Sequence, residues 1–137
     1  MSDRALRVVV GSLAAVGAAI AGYLVYTRYT NTRIACATGG CEIVQSSKYA
    51  ELSGVPVAVL GLAAYLVLLA TALSASELAR AAGAIVAVAG AAFSLYLVYL
   101  QVAVIDAVCQ WCVISDVVMC LLAVACVLRV ARAPRPA

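Results

Sequence analysis

Histidine is absent from all 137 residues. Without an imidazole, Ser-His and Cys-His nucleophilic catalysis are excluded, and so are most zinc-enzyme sites. Charge is scarce too: Asp, Glu, Lys and Arg make up 11% of the chain, against about a quarter in a soluble domain. Apolar residues fill the space, at 67% of the sequence with a mean hydropathy of +1.14. An integral membrane protein follows, with no room for a second folded domain. The net charge of +3 is spread over ends and loops, which reads as membrane topology rather than as a nucleic-acid footprint.

Against these absences, six cysteines stand out in so short a chain. Cys120 and Cys126 fall inside an apolar run and read as core, where cysteine is commonly buried. Cys36, Cys41, Cys109 and Cys112 sit in or beside polar segments. These four are the candidates for redox chemistry or structural disulfides.

Four apolar runs divide the chain, and they predict an all-α fold, an integral membrane four-helix bundle forming one transmembrane domain over 1–137. The expected helices span about 5–27, 55–73, 81–106 and 109–130, each near the roughly 20 residues that one crossing needs. A cleavable signal peptide is the rival reading of the first run, with Ala19-Ile20-Ala21 as its small-x-small site. The run continues past that point to Tyr26, which favours a crossing. Gly11, Ala15 and Ala19, then Ala14, Ala18 and Gly22, and in the third run Gly83, Ala87 and Ala91, recur at four-residue spacing. Such faces let helices approach closely in lipid. Tyr23, Tyr26, Tyr29, Tyr96 and Tyr99 read as interfacial belts. Pro56 fits a first helical turn, where its missing N–H costs nothing. Ser74 to Arg80 reads as a polar turn.

The outer loop, 28–54, is the long polar segment. Within it Ile43, Val44, Tyr49 and Leu52 predict a short surface helix that caps the bundle. The arginine-containing tail after Leu128 is expected to be loosely ordered. Four crossings put both termini on one side. Arg4, Arg7, Arg80, Arg129, Arg132 and Arg135 fall on that side, and Arg28, Arg33 and Lys48 on the other. The excess places the termini in the cytoplasm. Both cysteine pairs then face outward, where disulfides persist.

Cys109-Gln110-Trp111-Cys112 is a CxxC motif lying between two apolar runs, at an expected helix N-terminus. That spacing and that place lower a thiol's pKa and expose a nucleophilic thiolate. A zinc ribbon needs four ligands, usually two such pairs, and only one is present. A static disulfide is the remaining alternative. Cys36 and Cys41 flank Ala-Thr-Gly-Gly, and Gly39-Gly40 makes a flexible turn. A mobile pair beside a fixed pair suggests an intramolecular thiol–disulfide relay. A loop staple is the alternative there.

Cys41-Glu42-Ile43-Val44-Gln45-Ser46-Ser47-Lys48-Tyr49, then Gly54-Val55-Pro56, then CxxC opening the last helix, together resemble the vitamin K epoxide reductase family in its bacterial form. The resemblance covers nearly the whole chain. It implies a membrane quinone reductase that oxidises a thioredoxin-like partner and drives disulfide formation outside the cytoplasm. By that resemblance Cys36 meets the partner, Cys41 exchanges with Cys109, and Cys112 faces a quinone, menaquinone or ubiquinone. Ser47 matches the hydroxyl residue near the site. Some relatives carry a fused thioredoxin-like domain. Here the chain ends after the fourth helix, so the partner is expected to be a separate protein.

Asp116 follows Cys112 by four residues, on the same helix face. It is a candidate to bind the quinone or relay a proton; as a first-turn acid it would instead answer the helix dipole. Vertebrate relatives place a tyrosine near this position. Two rivals remain. A DsbB-type quinone reductase carries its CxxC in the first outer loop, whereas here CxxC comes last. A non-enzymatic helical subunit would hold the four outer cysteines as static staples.

Overall fold

The structure is a computed structural model and describes residues 2–30, 51–52 and 55–132. Within these, helix α1 spans Asp3–Thr30. Two short strands follow, β1 at Glu51–Leu52 and β2 at Val55–Pro56, paired antiparallel with Leu52 opposite Val55. Helix α2 spans Val57–Ala72, α3 spans Glu77–Tyr99, and α4 spans Gln110–Ala131. Between α3 and α4 the chain widens into a π-helical turn, Leu100–Ile105. The all-α four-helix bundle is therefore the observed fold. Helices α1, α3 with its π turn, and α4 are each long and apolar enough to cross a membrane.

Several boundaries differ from the sequence expectation, each for a local reason. The expected surface helix over Ile43–Leu52 lies outside the described residues except for its last two, and those two are extended and paired in β1. Pro56 also belongs to that pair, and with ψ at 137° it precedes the helix rather than joining it. Helix α2 is consequently 16 residues long. The stretch read as a turn through Arg80 is shorter. Ser76 caps α3, its Oγ accepting the Ala79 N–H at 3.1 Å, and Glu77 sits in the first turn, where the dipole favours an acid.

Each helix packs against the next in a closed ring: α1 on α2, α2 on α3, α3 on α4, and α4 back on α1. The core runs along the ring's axis through Val10, Ala14, Tyr65, Leu68, Ala87, Met119, Leu122 and Cys126. In lipid such packing rests on close van der Waals contact rather than on the expulsion of water. Small residues therefore decide where the helices touch. Gly17 is buried because the Tyr65 ring lies where a β-carbon would stand. Gly90 in the same way receives Met119, whose sulfur would lie 2.8 Å from a β-carbon there. On α3 the expected small face is real, with Gly83 and Ala87 buried. On α1 the inward stripe is Val10, Ala14, Gly17, Ala21 and Leu24; of the expected small faces Ala14 and the partly buried Ala18 pack on the core, whereas Ala15 and Ala19 face outward. Cys126 is in the core as expected, and Cys120 is half-buried.

One end of the bundle is held by charge. The last carbonyls of a helix have no partner within it. At the end of α2 two arginines supply the donors. Arg7 Nε donates to the Ala72 carbonyl at 2.9 Å and its Nη2 to Leu73 at 3.1 Å. Arg129, only 1% exposed, donates to Thr71 at 3.2 Å and Ser74 at 2.9 Å. Asp3 stands 3.5 Å from Arg80 and 3.8 Å from Arg129. All four helices thus meet in one polar knot.

Candidate redox site

The CxxC motif lies at the opposite end of α4. Cys109 is the N-cap residue, extended at φ −96° and ψ 113°, and its sulfur accepts the Cys112 N–H at 3.3 Å. The Cys112 thiol donates to the same sulfur at 2.7 Å. One short turn therefore brings both sulfurs together at the N-terminus of α4. Cys109 is fully buried against Ile105, Ala107, Trp111 and Cys112. Cys112 is partly exposed.

Cys112 lines a cavity of about 320 Å³, at the lower end of the roughly 300–1,000 Å³ usual for small-molecule sites. All four helices line it: Leu24 of α1; Gly61 and Tyr65 of α2; Phe93, Ser94 and Leu97 of α3; Cys112, Ser115 and Asp116 of α4. The walls are mainly apolar, with the polar groups gathered beside Cys112. Tyr65 donates to the Ser115 carbonyl at 2.6 Å and lies 2.8 Å from the Ser115 hydroxyl. The i, i+4 spacing brings Asp116 to the same cavity as Cys112, 7% exposed and hydrogen-bonded to Ser94. Its Oδ2 has no partner among the described residues. A buried oxygen without a partner costs about 1–3 kcal/mol, so its presence at a cavity wall calls for a ligand.

The profile of the Vitamin K epoxide reductase family matches residues 8–127. The chain belongs to that family. As a vitamin K epoxide reductase family protein it is a membrane oxidoreductase, and the sulfurs of its Cys109 and Cys112 form a close pair.

Of the residues singled out from the sequence of this family member, Cys112 and Asp116 line one cavity, and Cys109 is buried against Cys112. Cys36, Cys41 and Ser47 lie outside the described residues. Three residues at the site went unread in the sequence. Gln101 accepts the Cys109 N–H on its side-chain oxygen at 2.8 Å. Ser94 reaches Asp116. Tyr23, expected as an interfacial belt residue, meets the motif's own Trp111 edge-on, with centroids 5.2 Å apart. Tyr26 and Tyr29 are exposed, in keeping with a belt. A polar residue inside an apolar run was the available signal for Gln101 and Ser94, since such residues in membrane helices tend to face the bundle interior and mark function.

Proposed function

We propose that this protein is a quinone-dependent thiol–disulfide oxidoreductase that oxidises a thioredoxin-like partner and so drives disulfide formation outside the cytoplasm. The observation that carries the reading is the placement of Cys112: its sulfur is 2.7 Å from that of Cys109, and the residue lines the same apolar cavity as the unpartnered Asp116 oxygen. The balance is simple. When the Cys109 and Cys112 thiols close to a disulfide they release two electrons and two protons, which convert one quinone to one quinol. A dithiol arriving through the outer loop then reopens the bond by exchange. In this scheme Cys36 receives electrons from the partner and Cys41 attacks the Cys109–Cys112 disulfide at Cys109. Ser47 and Asp116 hold the quinone, either menaquinone or ubiquinone. The preponderance of arginine on the terminal side supports cytoplasmic termini and an outward-facing site in the cell membrane.

The test uses the purified full chain, a reduced thioredoxin-like protein and a short-chain quinone, with thiol loss and quinol gain followed together. One quinol per two thiols consumed is expected, and neither signal with Cys109→Ala or Cys112→Ala protein that still resides in the membrane. Normal turnover in either variant, or disulfides whose state ignores the quinone supply, would leave the pair as a structural staple.

A further inference from the structure

Gln101 is a buried amide, 2% exposed, within a membrane-crossing segment. Such a group must find hydrogen bonds inside the protein, and it finds them in one place. Its main-chain carbonyl accepts from the Asp106 N–H, and from the Ala107 N–H at 3.1 Å. Its side-chain Oε1 accepts from the Cys109 N–H at 2.8 Å. One residue therefore ties three of the four that lead from the π turn into the CxxC motif.

The backbone between them is unusual in two respects. The turn Leu100–Ile105 is π-helical, a conformation that tends to occur at functional sites. Asp106 then takes φ 57° and ψ 36°, the left-handed region that few residues other than glycine, asparagine and aspartate enter. The wide turn and the left-handed residue reverse the chain so that Cys109 arrives extended. From that conformation its sulfur reaches the Cys112 N–H at 3.3 Å.

We propose that Gln101 is a positioning residue for the redox pair: by holding the Cys109 N–H it keeps the Cys109 sulfur on the N-terminus of α4, and it thereby sets the pair's reduction potential. The N–H and dipole interactions are strongest with a thiolate and weaken when the sulfur enters a disulfide. A cap geometry held in place therefore stabilises the reduced form, and stabilising the reduced form makes a pair more oxidising. The inference rests on the redox reading of Cys109 and Cys112 but not on the identity of their electron acceptor.

The experiment equilibrates the full chain in nanodiscs with dithiothreitol buffers of graded poise. Each sample is quenched in acid, alkylated under denaturing conditions, and read by the mass of the peptide that carries Cys109 and Cys112. In every titration two protein thiols give two electrons and two protons to one oxidised dithiothreitol. Gln101→Leu should make the pair about tenfold easier to oxidise, a midpoint about 30 mV more negative. Gln101→Glu, which keeps an acceptor of the same length and is neutral when protonated, should return the midpoint toward the wild-type value. If Gln101→Leu does not accumulate in the membrane, Gln101→Asn carries the same expectation, its amide being one methylene too short for the contact. A midpoint unchanged in the variant lacking the contact, or shifted equally by Gln101→Glu, would overturn the proposal. So would a raised KM for quinone with the midpoint unmoved, which would make Gln101 only a ligand contact. A wild-type pair that titrates in these buffers yet never reduces quinone would instead overturn the function proposed above and leave the role of Gln101 standing.

Discussion

Replacing Gly17 by alanine adds one methyl group, and the structure says where it goes. A β-carbon at Gly17 would stand inside the Tyr65 ring. That ring is 1% exposed, and its hydroxyl is tied to Ser115 at 2.6 and 2.8 Å, so it has little freedom to swing aside. Overpacking costs about 1–3 kcal/mol, and displacing the hydroxyl from its acceptor about 1 kcal/mol more. Alanine returns about 1 kcal/mol through its better helix propensity. The net expectation is a destabilisation of about 1–3 kcal/mol, or about 5- to 140-fold in the folding equilibrium. Unfolding in mixed micelles, followed by the fluorescence of the single tryptophan Trp111, measures it. Gly22→Ala is the control on the same helix, because a β-carbon there meets nothing, and it should be neutral or slightly stabilising. The decisive step is a double-mutant cycle with Tyr65→Leu, which removes the ring. In that background Gly17→Ala should cost nothing, a coupling of about 1–3 kcal/mol. Additivity within about 0.5 kcal/mol would show that the ring does not set the α1–α2 approach. Because Tyr65 also lines the cavity, the single variant should raise the KM for quinone as well.

Other expectations follow from the cysteine relay and from Asp116. Cys112→Ser removes the resolving thiol, so a Cys41–Cys109 bridge should accumulate within one chain, visible as one cross-linked peptide; finding Cys36–Cys41 alone would mean that the pairs do not meet. Cys36→Ala or Cys41→Ala should block oxidation of a protein dithiol while sparing quinone reduction by a small dithiol, and normal protein oxidation in both would make the loop pair idle. Asp116→Leu removes an unpartnered buried oxygen but also the partner of the buried Ser94; the two effects, each about 1–3 kcal/mol, offset, so stability should change little while the KM for quinone rises about tenfold. Loss of stability together with unchanged kinetics would place Asp116 among structural residues.

The bundle was legible because hydropathy alone counts helices when lipid is the solvent, and the CxxC motif was legible because its spacing implies its geometry. What stayed hidden depends on three-dimensional contact. Nothing in the periodicity separates Gly17, which faces the core, from Ala15 and Ala19, which face outward, since all are small and helical. Arg129 looked like one of several terminal charges that set topology, yet it is buried and bonded to two carbonyls. Gln101 sits in a run with a crossing's hydropathy, and the π turn that begins one residue earlier has no signature of its own. Ser76 could have been read as a helix cap, but the polar residues around it resembled a turn. The Leu52–Val55 pairing lies at the edge of a segment whose cysteine and serine pattern drew attention to chemistry instead of backbone.

The shortness of α2 bears on the lipid around it. Sixteen residues rise only about 24 Å, whereas the hydrocarbon layer is about 30 Å thick. A helix that stops early would normally force the bilayer to thin or leave peptide carbonyls in oil, and thinning costs a fraction of a kcal/mol for each ångström. Here Arg7 and Arg129, carried by the longer α1 and α4, bring their guanidinium groups to those carbonyls. The protein supplies at that end the hydrogen bonds that water would have given, so the mismatch falls on two side chains and the surrounding membrane can keep its thickness.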